Sequence, residues 1–320
     1  MKLRYLFYDS GMDVRRLELL RELAERGSVV AVARATHRTP SAVSQQLKVL
    51  EQEIGFALTE RKGRGIQLTE AGRALARTAT DIAVALQRAE SLWNAYVEAP
   101  AGEVTLATFP TAGQMFLPGL LDAVAAIPGL TLTASDRDPP LSAFASLTND
   151  FDLVLAHSPN GARAWRGSGL TIVDLMIEPL DVALPLGHPL AAKSYLTPTD
   201  LIGESWIGVP LDFPFQQVMT ELERISEEPP RIVQRFSDTR IIEALVASGH
   251  GVAILPRFTA VLSSAVELRP LVGIVAERHI CLLMRPDRAE RPSVQLLVAA
   301  LRAEAEQIQR AGAATLRIGT

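Results

Sequence analysis

The stretch that decides the fold is RTPSAVSQQLKVLEQEIG, which runs from Arg38 to Gly55. Apolar side chains recur along it at helical spacing: Val43, Leu47, Leu50 and Ile54. A second face repeats at the same spacing and holds short hydroxyls, an amide and one cation: Ser41, Ser44, Gln45 and Lys48. The first face predicts burial against a small core. The second is a polar surface, and burial does not explain its choice of residues.

The flanking sequence predicts short helices separated by abrupt stops. Val14 to Arg26 carries an amphipathic leucine stripe and is stopped by Gly27. A helix from Val29 to about Thr36 follows, for which Ser28 is a suitable N-cap residue. The third helix begins at Pro40, because a proline at the first helical position misses no hydrogen bond. Two short helices joined by a tight turn predict a helix-turn-helix, whose second helix enters the DNA major groove.

The polar face of the third helix suits this role. Ser41, Ser44 and Gln45 can hydrogen-bond base edges, and a glutamine side chain matches adenine. Lys48, one turn further along, is better placed to contact phosphate. The alternative is an ordinary amphipathic helix whose polar face is only solvated, and periodicity alone does not separate the two interpretations.

The segment LTERKGRGIQLTEAG (58–72) predicts a wing, since two strand patterns flank a basic, glycine-containing turn. Arg61, Lys62 and Arg64 lie in or beside this turn, where cations can contact the DNA backbone or minor groove. The alternative is a solvated charged turn, which the preceding helix-turn-helix pattern disfavours.

From Gly27 to Gly72 the sequence resembles the winged helix-turn-helix of LysR-type transcriptional regulators. The motifs SAVSQQ, LE…IG, L-x-ER, GRG and LTEAG occur in order at the family's spacing. The resemblance implies a DNA-backbone contact for the wing arginine and base contacts for Pro40, Ser41, Ser44 and Gln45. Thr59 stands where the family often has phenylalanine, and Gln45 stands where arginine is frequent. We therefore expect differences in the packing under the wing and in the bases that are read.

The segment from Arg73 to Glu98 contains neither glycine nor proline, and its apolar residues follow alternating steps of four and three: Leu75, Ala79, Ile82, Leu86, Ala89, Trp93 and Tyr96. This heptad seam is longer than a small winged domain can cover, so it favours pairing with a partner helix. The alternative is a helix packed on its own domain. In the family this linker helix makes the dimer, and the expected dimer contacts are Leu75, Ile82, Leu86 and Trp93.

Strands and helices alternate beyond residue 103. Two βαβαβ units, which begin at EVTLATFP (103–110) and SWIGVP (205–210), are followed by a strand at HICLLM (279–284) and a final helix from Pro292 to Arg310. This order predicts parallel strands with right-handed crossovers. The runs LPLGHPLA (184–191) and ALVASGHGVAILPR (244–257) resemble the effector domain of LysR-type regulators, which has the fold of periplasmic binding proteins.

The predicted fold class is therefore α/β. A winged helix-turn-helix domain is expected at 13–72, a long linker helix at 73–99, and a two-lobed, Rossmann-like effector domain of periplasmic-binding-protein type at 103–320. The first lobe is expected to span about 103–178 and 269–311, and the second about 179–268.

A ligand is expected where strands end, because open α/β sheets bind ligands at the carboxyl ends of their strands. The residues at such strand-to-helix junctions are Thr108, Thr111, His157, Phe213, Phe215, Ser237 and Thr239. Free N–H groups favour a small carboxylate between Thr111 and Thr239. The alternative is that these hydroxyls, like the Asp238 carboxylate, only cap helices. The acidic charge of this half leaves an amine as the other ligand class, received by Asp136, Asp138 and Asp212.

Composition places the chain among ordinary globular proteins. Its 320 residues are 48% hydrophobic and 21% charged, which suits two or three domains. The net charge of −4 conceals an asymmetry, since residues 1–72 hold 12 Lys and Arg against 9 Asp and Glu, and the remainder holds 20 against 27. The lone Cys281 lies in an apolar strand and indicates a buried thiol in a reducing cytoplasm. The N-terminal apolar run is too short for a signal sequence, and no segment is long enough to predict a membrane span.

The sequence offers no constellation for catalysis. It contains no P-loop, no G-x-S-x-G and no G-x-G-x-x-G, and its five histidines are scattered, so we predict no catalytic residue, no metal and no cofactor. A DNA-organising protein would not need a two-lobed cleft. The prediction is a cytoplasmic, ligand-responsive transcriptional regulator. Its expected partners are palindromic double-stranded DNA, a small effector, further copies of itself as a homodimer or homotetramer, and RNA polymerase.

Overall fold

The computed structural model describes residues 13–62, 65–96, 102–259 and 265–318. The chain divides into two compact units, of which one contains the N-terminal residues up to Pro100 together with Arg285–Pro292. The other contains Ala101–Met284 and the chain from Ser293 onward. No helix in the described ranges is both long enough and apolar enough to span a membrane.

The N-terminal unit begins with three short helices, continues through a two-stranded hairpin and ends its contiguous part with a long helix. These elements are α1 (Val14–Arg26), α2 (Val29–Ala35), α3 (Pro40–Ile54), β1 (Thr59–Lys62), β2 (Gly65–Leu68) and α4 (Glu70–Tyr96). Gly27 ends α1 in the left-handed region (φ 66°), and the Thr39 hydroxyl accepts a hydrogen bond from the Ala42 N–H at the start of α3. These predicted boundaries are confirmed. Ser28 occupies the N-cap position of α2, but its side chain makes no capping hydrogen bond.

The core of this unit collects the apolar faces of α1 and α3 and the first half of α4. The hairpin is fixed to it by Glu51 of α3, whose Oε1 accepts from the Leu58 N–H (2.9 Å), the Thr59 N–H (2.8 Å) and the Thr59 hydroxyl (2.9 Å). A phenylalanine at 59 could not make the last bond, so threonine here replaces apolar packing with a polar attachment. Gly72 lets α4 approach the hairpin, because an added Cβ would lie 2.1 Å from the Leu58 carbonyl oxygen.

The C-terminal unit is a mixed α/β structure of nine strands. Its first part contains β3 (Gly102–Thr108), α5 (Pro110–Ala125), β4 (Leu130–Asp136), α6 (Phe144–Leu147), β5 (Leu153–Ser158) and β6 (Thr171–Pro185). Its second part contains β7 (Ser205–Gly208), α7 (Gln216–Ser226), β8 (Arg231–Arg235), α8 (Thr239–Ala247), β9 (Val252–Pro256), β10 (Val266–Arg269), β11 (Glu277–Met284) and α10 (Pro292–Ile318). The short α9 (Pro286–Ala289) lies between β11 and α10 along the chain but belongs to the N-terminal unit.

The strands follow the order β4-β3-β5-β11-β6-β9-β7-β8, and β10 pairs with β6. β3 is parallel to β4 and β5, and β7 is parallel to β8 and β9, as the two βαβαβ patterns predict. β11 runs antiparallel to both β5 and β6. Two parallel groups are therefore joined by antiparallel strands into a two-lobed domain.

The strand β6 joins the two lobes and is absent from the predicted element order, as is β10. Residues up to Pro179 of β6 pair with β11 in the first lobe, whereas Leu180 onward pairs with β9 and β10 in the second lobe. The helix α5 begins at Pro110, two residues after the end of β3. This start brings the first turn of α5 to the end of β3.

Candidate functional site

The exposed face of α3 matches the predicted polar face. Val43, Leu47 and Leu50 are buried in the unit's core. The side chains that face away from this core are Pro40, Ser41, Gln45 and Lys48, with Ser44 half-buried among them. A helix with one buried stripe and one exposed row of hydrogen-bonding groups can enter a DNA groove without disturbing its own packing.

The wing hairpin has the predicted antiparallel form. Arg61 pairs with Ile66, Lys62 pairs with Gly65, and Arg61 is exposed. Arg64, the other predicted wing contact, lies outside the described residues. The described wing therefore offers Arg61 and Lys62 as cations for phosphate contacts.

The heptad seam of α4 is divided between two environments. Leu75 and Ile82 pack against the core of their own unit, as the alternative interpretation predicted for the whole helix. Leu86 and Trp93 are 47% and 65% exposed. Only the second half of the seam is therefore available to another chain, and residues 97–99 of the predicted linker lie outside the described ranges.

A buried cluster of charges lies inside the N-terminal unit, and the sequence did not predict it. Arg285 Nη1 lies 2.9 Å from Glu22 Oε1 and 2.8 Å from Glu25 Oε2, both on α1. Arg21 Nη1 of the same helix lies 2.9 Å from Asp287 Oδ2. The cluster therefore fixes the segment Arg285–Pro292 to the first helix of the helix-turn-helix.

The Glu25→Gln variant should reveal a pH dependence of stability within this cluster. Burial, against the attraction of Arg285 and together with the nearby Glu22, raises the pKa of Glu25 to about 7 from 4.5. The folded state therefore holds this proton more tightly than the unfolded state, and the free energy of unfolding falls as the pH rises from 4.5 to 7. Because the side chain is 25% exposed, the effect is screened, and we expect the variant to gain about 1 kcal/mol over the wild type between pH 5 and pH 8.

Thermal unfolding at the two pH values measures this difference. Glu90→Gln is the control, since Glu90 is an exposed glutamate on α4, and it should leave the pH dependence unchanged. Equal pH dependence in Glu25→Gln and the wild type would contradict a raised pKa at this position.

A cavity of the C-terminal unit lies between its two lobes and has a volume of about 960 Å³. Five of its lining residues were predicted at strand-to-helix junctions: Thr111, Phe213, Phe215, Ser237 and Thr239. The three aspartates considered as amine acceptors, Asp136, Asp138 and Asp212, also line it. The cleft therefore contains both the groups predicted for a carboxylate and those predicted for an amine.

Two predicted ligand residues lie behind the cleft wall. Thr108 is buried, and its hydroxyl donates to the Phe109 carbonyl (3.1 Å). His157 is fully buried among aromatic rings, and its Nε2 lies 3.2 Å from Asp138 Oδ1. Burial lowers the pKa of His157, and the hydrogen bond to Asp138 only partly opposes this. A neutral ring that donates from Nε2 positions the Asp138 carboxylate but does not neutralise its charge.

Asp238 has the structural role that the alternative interpretation gave it. Its carboxylate accepts from the Arg240 N–H at the start of α8 (2.9 Å) and from the Arg240 guanidinium (2.7 Å and 3.0 Å). Asp238 and Arg240 both line the cleft as an exposed ion pair, so their charges offset each other there.

An ion pair that the sequence did not predict forms the floor of the cleft. Arg278 of β11 is 2% exposed, and its Nε (2.8 Å) and Nη2 (2.6 Å) donate to Oε2 of the fully buried Glu178 on β6. Nη2 also donates to the Thr111 hydroxyl (2.9 Å). The guanidinium carbon lies 5.1 Å from the centre of the Phe109 ring and 5.4 Å from that of Phe215. Because Phe215 belongs to the second lobe, this one side chain contacts residues of both lobes.

The cysteine is buried, as predicted. Its Sγ donates to Asp174 Oδ1 (3.1 Å), and burial raises the pKa of the Cys281 thiol far above its usual range. A thiol that does not ionise is a poor nucleophile, so Cys281 lacks the properties of a redox-sensing residue.

Comparison with known families gives two matches that together cover most of the chain. Residues 14–73 match the bacterial regulatory helix-turn-helix protein of the lysR family, and residues 98–306 match the LysR substrate binding domain. The first match contains the polar face of α3 and the wing, and the second contains the cleft.

Individual proteins agree with these matches. The transcriptional activator protein LysR of Escherichia coli K12 is 27% identical over 294 residues, which is 91% of both chains. A full-length OxyR variant from Pseudomonas aeruginosa has a similar fold, with a TM-score of 0.62 at 22% identity over 91% of this chain and 98% of that one. CbnR, solved in a complex with its target DNA, gives a TM-score of 0.52 at 23% identity over 92% of this chain and 100% of that one.

Proposed function

Because the chain belongs to the LysR family of bacterial transcriptional regulators, we propose that it binds a palindromic operator as a homodimer or homotetramer, and that a small molecule in the cleft controls its effect on transcription. It is a DNA-binding regulator with an effector-binding domain and not an enzyme. The proposal gives it RNA polymerase as a further partner and the cytoplasm as its location, since both follow from acting on chromosomal promoters.

The observation that carries the DNA part of the proposal is the exposed row on α3. Gln45 and Lys48 have no hydrogen-bond partner among the described residues, although both lie on a well-packed helix. The helix already fixes their backbone, so binding to a base or a phosphate has to order only the side chains, at a cost of about 0.5–1.5 kcal/mol each. We assign base reading to Ser41, Ser44 and Gln45 and phosphate contacts to Lys48 and the wing cations.

The observation that supports the effector part is the cleft between the lobes. A ligand held there gains contacts from both lobes only when they close, so it stabilises the closed arrangement in proportion to that difference in affinity. A closed state that binds roughly a hundredfold more tightly supplies about 2.7 kcal/mol to this shift. In the proposed mechanism the closure state changes the arrangement of the paired DNA-binding domains in the oligomer.

The variant Gln45→Ala should lose specific DNA binding. We expect a cost of about 1–3 kcal/mol at the selected operator and little change on unrelated DNA, because the amide is assigned to a base edge. Arg61→Ala should instead weaken binding to all DNA sequences similarly, because its contact is with phosphate. The slope of the logarithm of the binding constant against the logarithm of the salt concentration should become shallower by about one. Operators selected from genomic fragments with the full chain, followed by fluorescence anisotropy at several salt concentrations, measure both effects.

Gln52→Ala is the matched control for this experiment. Gln52 is an exposed glutamine at the other end of the same helix, so its loss should leave operator affinity unchanged. A footprint and specificity ratio for Gln45→Ala that equal those of the wild type would show that another face of the protein reads the operator.

A further inference from the structure

We propose that the cleft ligand is a zwitterion, a small amino-acid-like molecule with a carboxylate, an ammonium group and an apolar side chain. The carboxylate lies against Arg278 and the start of α5, and the ammonium lies against Asp138 and Asp212. This inference rests on the proposed function, in which the cleft holds the effector, and it specifies the chemistry of that effector.

The carboxylate end is built around donors of Arg278 that lack an acceptor. Nε and Nη2 donate to Glu178 and Thr111, but Nη1 has no acceptor in the described part of the chain. Arg278 is at least nine-tenths buried and lines the cleft. Nη1 is not one of the buried, unpartnered atoms of the described residues, so it reaches the cleft, where a ligand oxygen can replace water on its two N–H donors.

The first turn of α5 adds donors beside Arg278. Its N-cap residue, Phe109, offers no capping side chain, and the N–H groups of Thr111 and Ala112 donate to no described residue. The Thr111 hydroxyl accepts from Arg278, and its own proton has no acceptor among the described residues. A carboxylate here would receive these donors and the favourable end of a 16-residue helix dipole.

The ammonium end follows from the charge balance of the cleft. Four aspartates and three arginines line it, and Glu178 lies directly beneath Arg278, so five carboxylates face three guanidinium groups. Glu178 pairs with Arg278, and Asp238 pairs with Arg240. Asp212 has no partner in the described ranges, and Asp138 is held only by the neutral His157. A ligand with a carboxylate alone would enter a cleft that is already negative, whereas an added ammonium group removes this repulsion.

Part of the remaining wall is apolar, and Gln114, Ser237 and Thr239 add polar groups elsewhere on it. Pro139, Pro140 and Leu147 on the first lobe and Pro210 and Phe213 on the second lobe line the same cavity. These surfaces suit an aliphatic or aromatic side chain and offer it no hydrogen bonds. The arrangement therefore favours an apolar amino acid over a sugar or a polyphosphate.

Matched ligand sets and the full-length protein test this inference. Thermal shift with the twenty common amino acids selects zwitterions, and calorimetry then compares each with its two singly charged analogues, for example phenylalanine with 3-phenylpropionate and phenethylamine. We expect at least one zwitterion to bind at least tenfold more tightly than both analogues. Asp212→Asn should bind that zwitterion about tenfold more weakly than the wild type does and the matched carboxylate at least as tightly, whereas Thr111→Val should bind both more weakly. Asp122→Asn, an exposed aspartate on α5, should change neither.

The outcomes separate this inference from the proposed function. Binding of a carboxylate or an amine as tightly as the matched zwitterion would overturn the assigned ligand class, and so would the absence of binding by every zwitterion in the set. A zwitterion that binds with the expected Asp212 dependence but leaves operator affinity and footprint unchanged would support the ligand class. The same result would contradict the proposed effector role.

Discussion

The double variant Leu86→Glu, Trp93→Glu should be monomeric and should bind a palindromic operator at least about a hundredfold more weakly than the wild type. Two linked half-site contacts gain about 10²–10⁴ in avidity over one, and a monomer forfeits this gain. Placing four carboxylates at the seam of a dimer, two from each chain, adds the cost of burying charges without partners. The effect should therefore appear in assembly first and in DNA binding as its consequence.

The environment of α4 selects these two positions within the predicted seam. The face of α4 that carries Arg88 and Ser91 is occupied, because Arg88 Nη2 lies 2.8 Å from Glu290 Oε1 and the Ser91 hydroxyl donates to the Glu290 carbonyl (2.8 Å). Leu86 and Trp93 lie one heptad apart on the other side and are largely exposed. Large apolar side chains at heptad spacing on an exposed helix face favour a second helix as their cover.

Light scattering measures the mass of the variant, and anisotropy with full and half operators measures the loss of avidity. Leu92→Glu is the matched control, since Leu92 is 75% exposed on the same helix but lies about 100° away from Trp93. It should remain an oligomer with near wild-type affinity. An oligomeric Leu86→Glu, Trp93→Glu variant with full affinity would place the dimer contact elsewhere.

The helix-turn-helix could be predicted because its signals are local. Thr39, Pro40 and Gly55 set the ends of α3 within the sequence itself, and its apolar residues fix which face is buried. The heptad spacing of α4 could be predicted from the sequence, but the surroundings of each seam residue could not. Periodicity shows that Ile82 and Leu86 share a face, whereas only the tertiary structure shows that Ile82 reaches its own core and Leu86 does not.

The strand β6 was not predicted from the sequence, because acidic residues break the apolar pattern by which a buried strand is recognised. Asp174, Glu178 and Asp181 interrupt the apolar run Thr171–Pro185, and the two buried ones, Glu178 and Asp181, pair with arginines far along the chain. Glu178 pairs with Arg278, 100 residues away, and Asp181 pairs with Arg257, 76 residues away. The same long-range pairing hid Arg278 as a cleft residue. The sequence does show that Arg278 is a charged residue within an apolar strand. A buried charge requires a partner, but the sequence does not show which residue that partner is.

Replacement of Arg285 by glutamine should destabilise the N-terminal unit by about 3–5 kcal/mol, the range observed when one partner of a buried ion pair is removed. Arg285 is 6% exposed at its side chain and lies between the carboxylates of Glu22, Glu25 and Asp287. Without it, the Asp287 carboxylate would be left with Arg21 and the Glu22 carboxylate with Arg26. Calorimetry of the full chain should show a transition assignable to this unit at a lower temperature.

Two variants make this prediction specific to the buried charge. Arg288→Gln removes an exposed cation three residues further along the same segment, so it should cost little. Arg285→Lys keeps the charge but has one compact ammonium group in place of a fork, so it should restore part of the lost stability. Loss of these ion pairs should also detach the segment Arg285–Pro292 from α1, which hydrogen exchange of the α1 amides would report. A loss below about 1 kcal/mol in Arg285→Gln, with unchanged exchange in α1, would show that the cluster behaves as a solvated surface network and does not fix the segment to the helix-turn-helix.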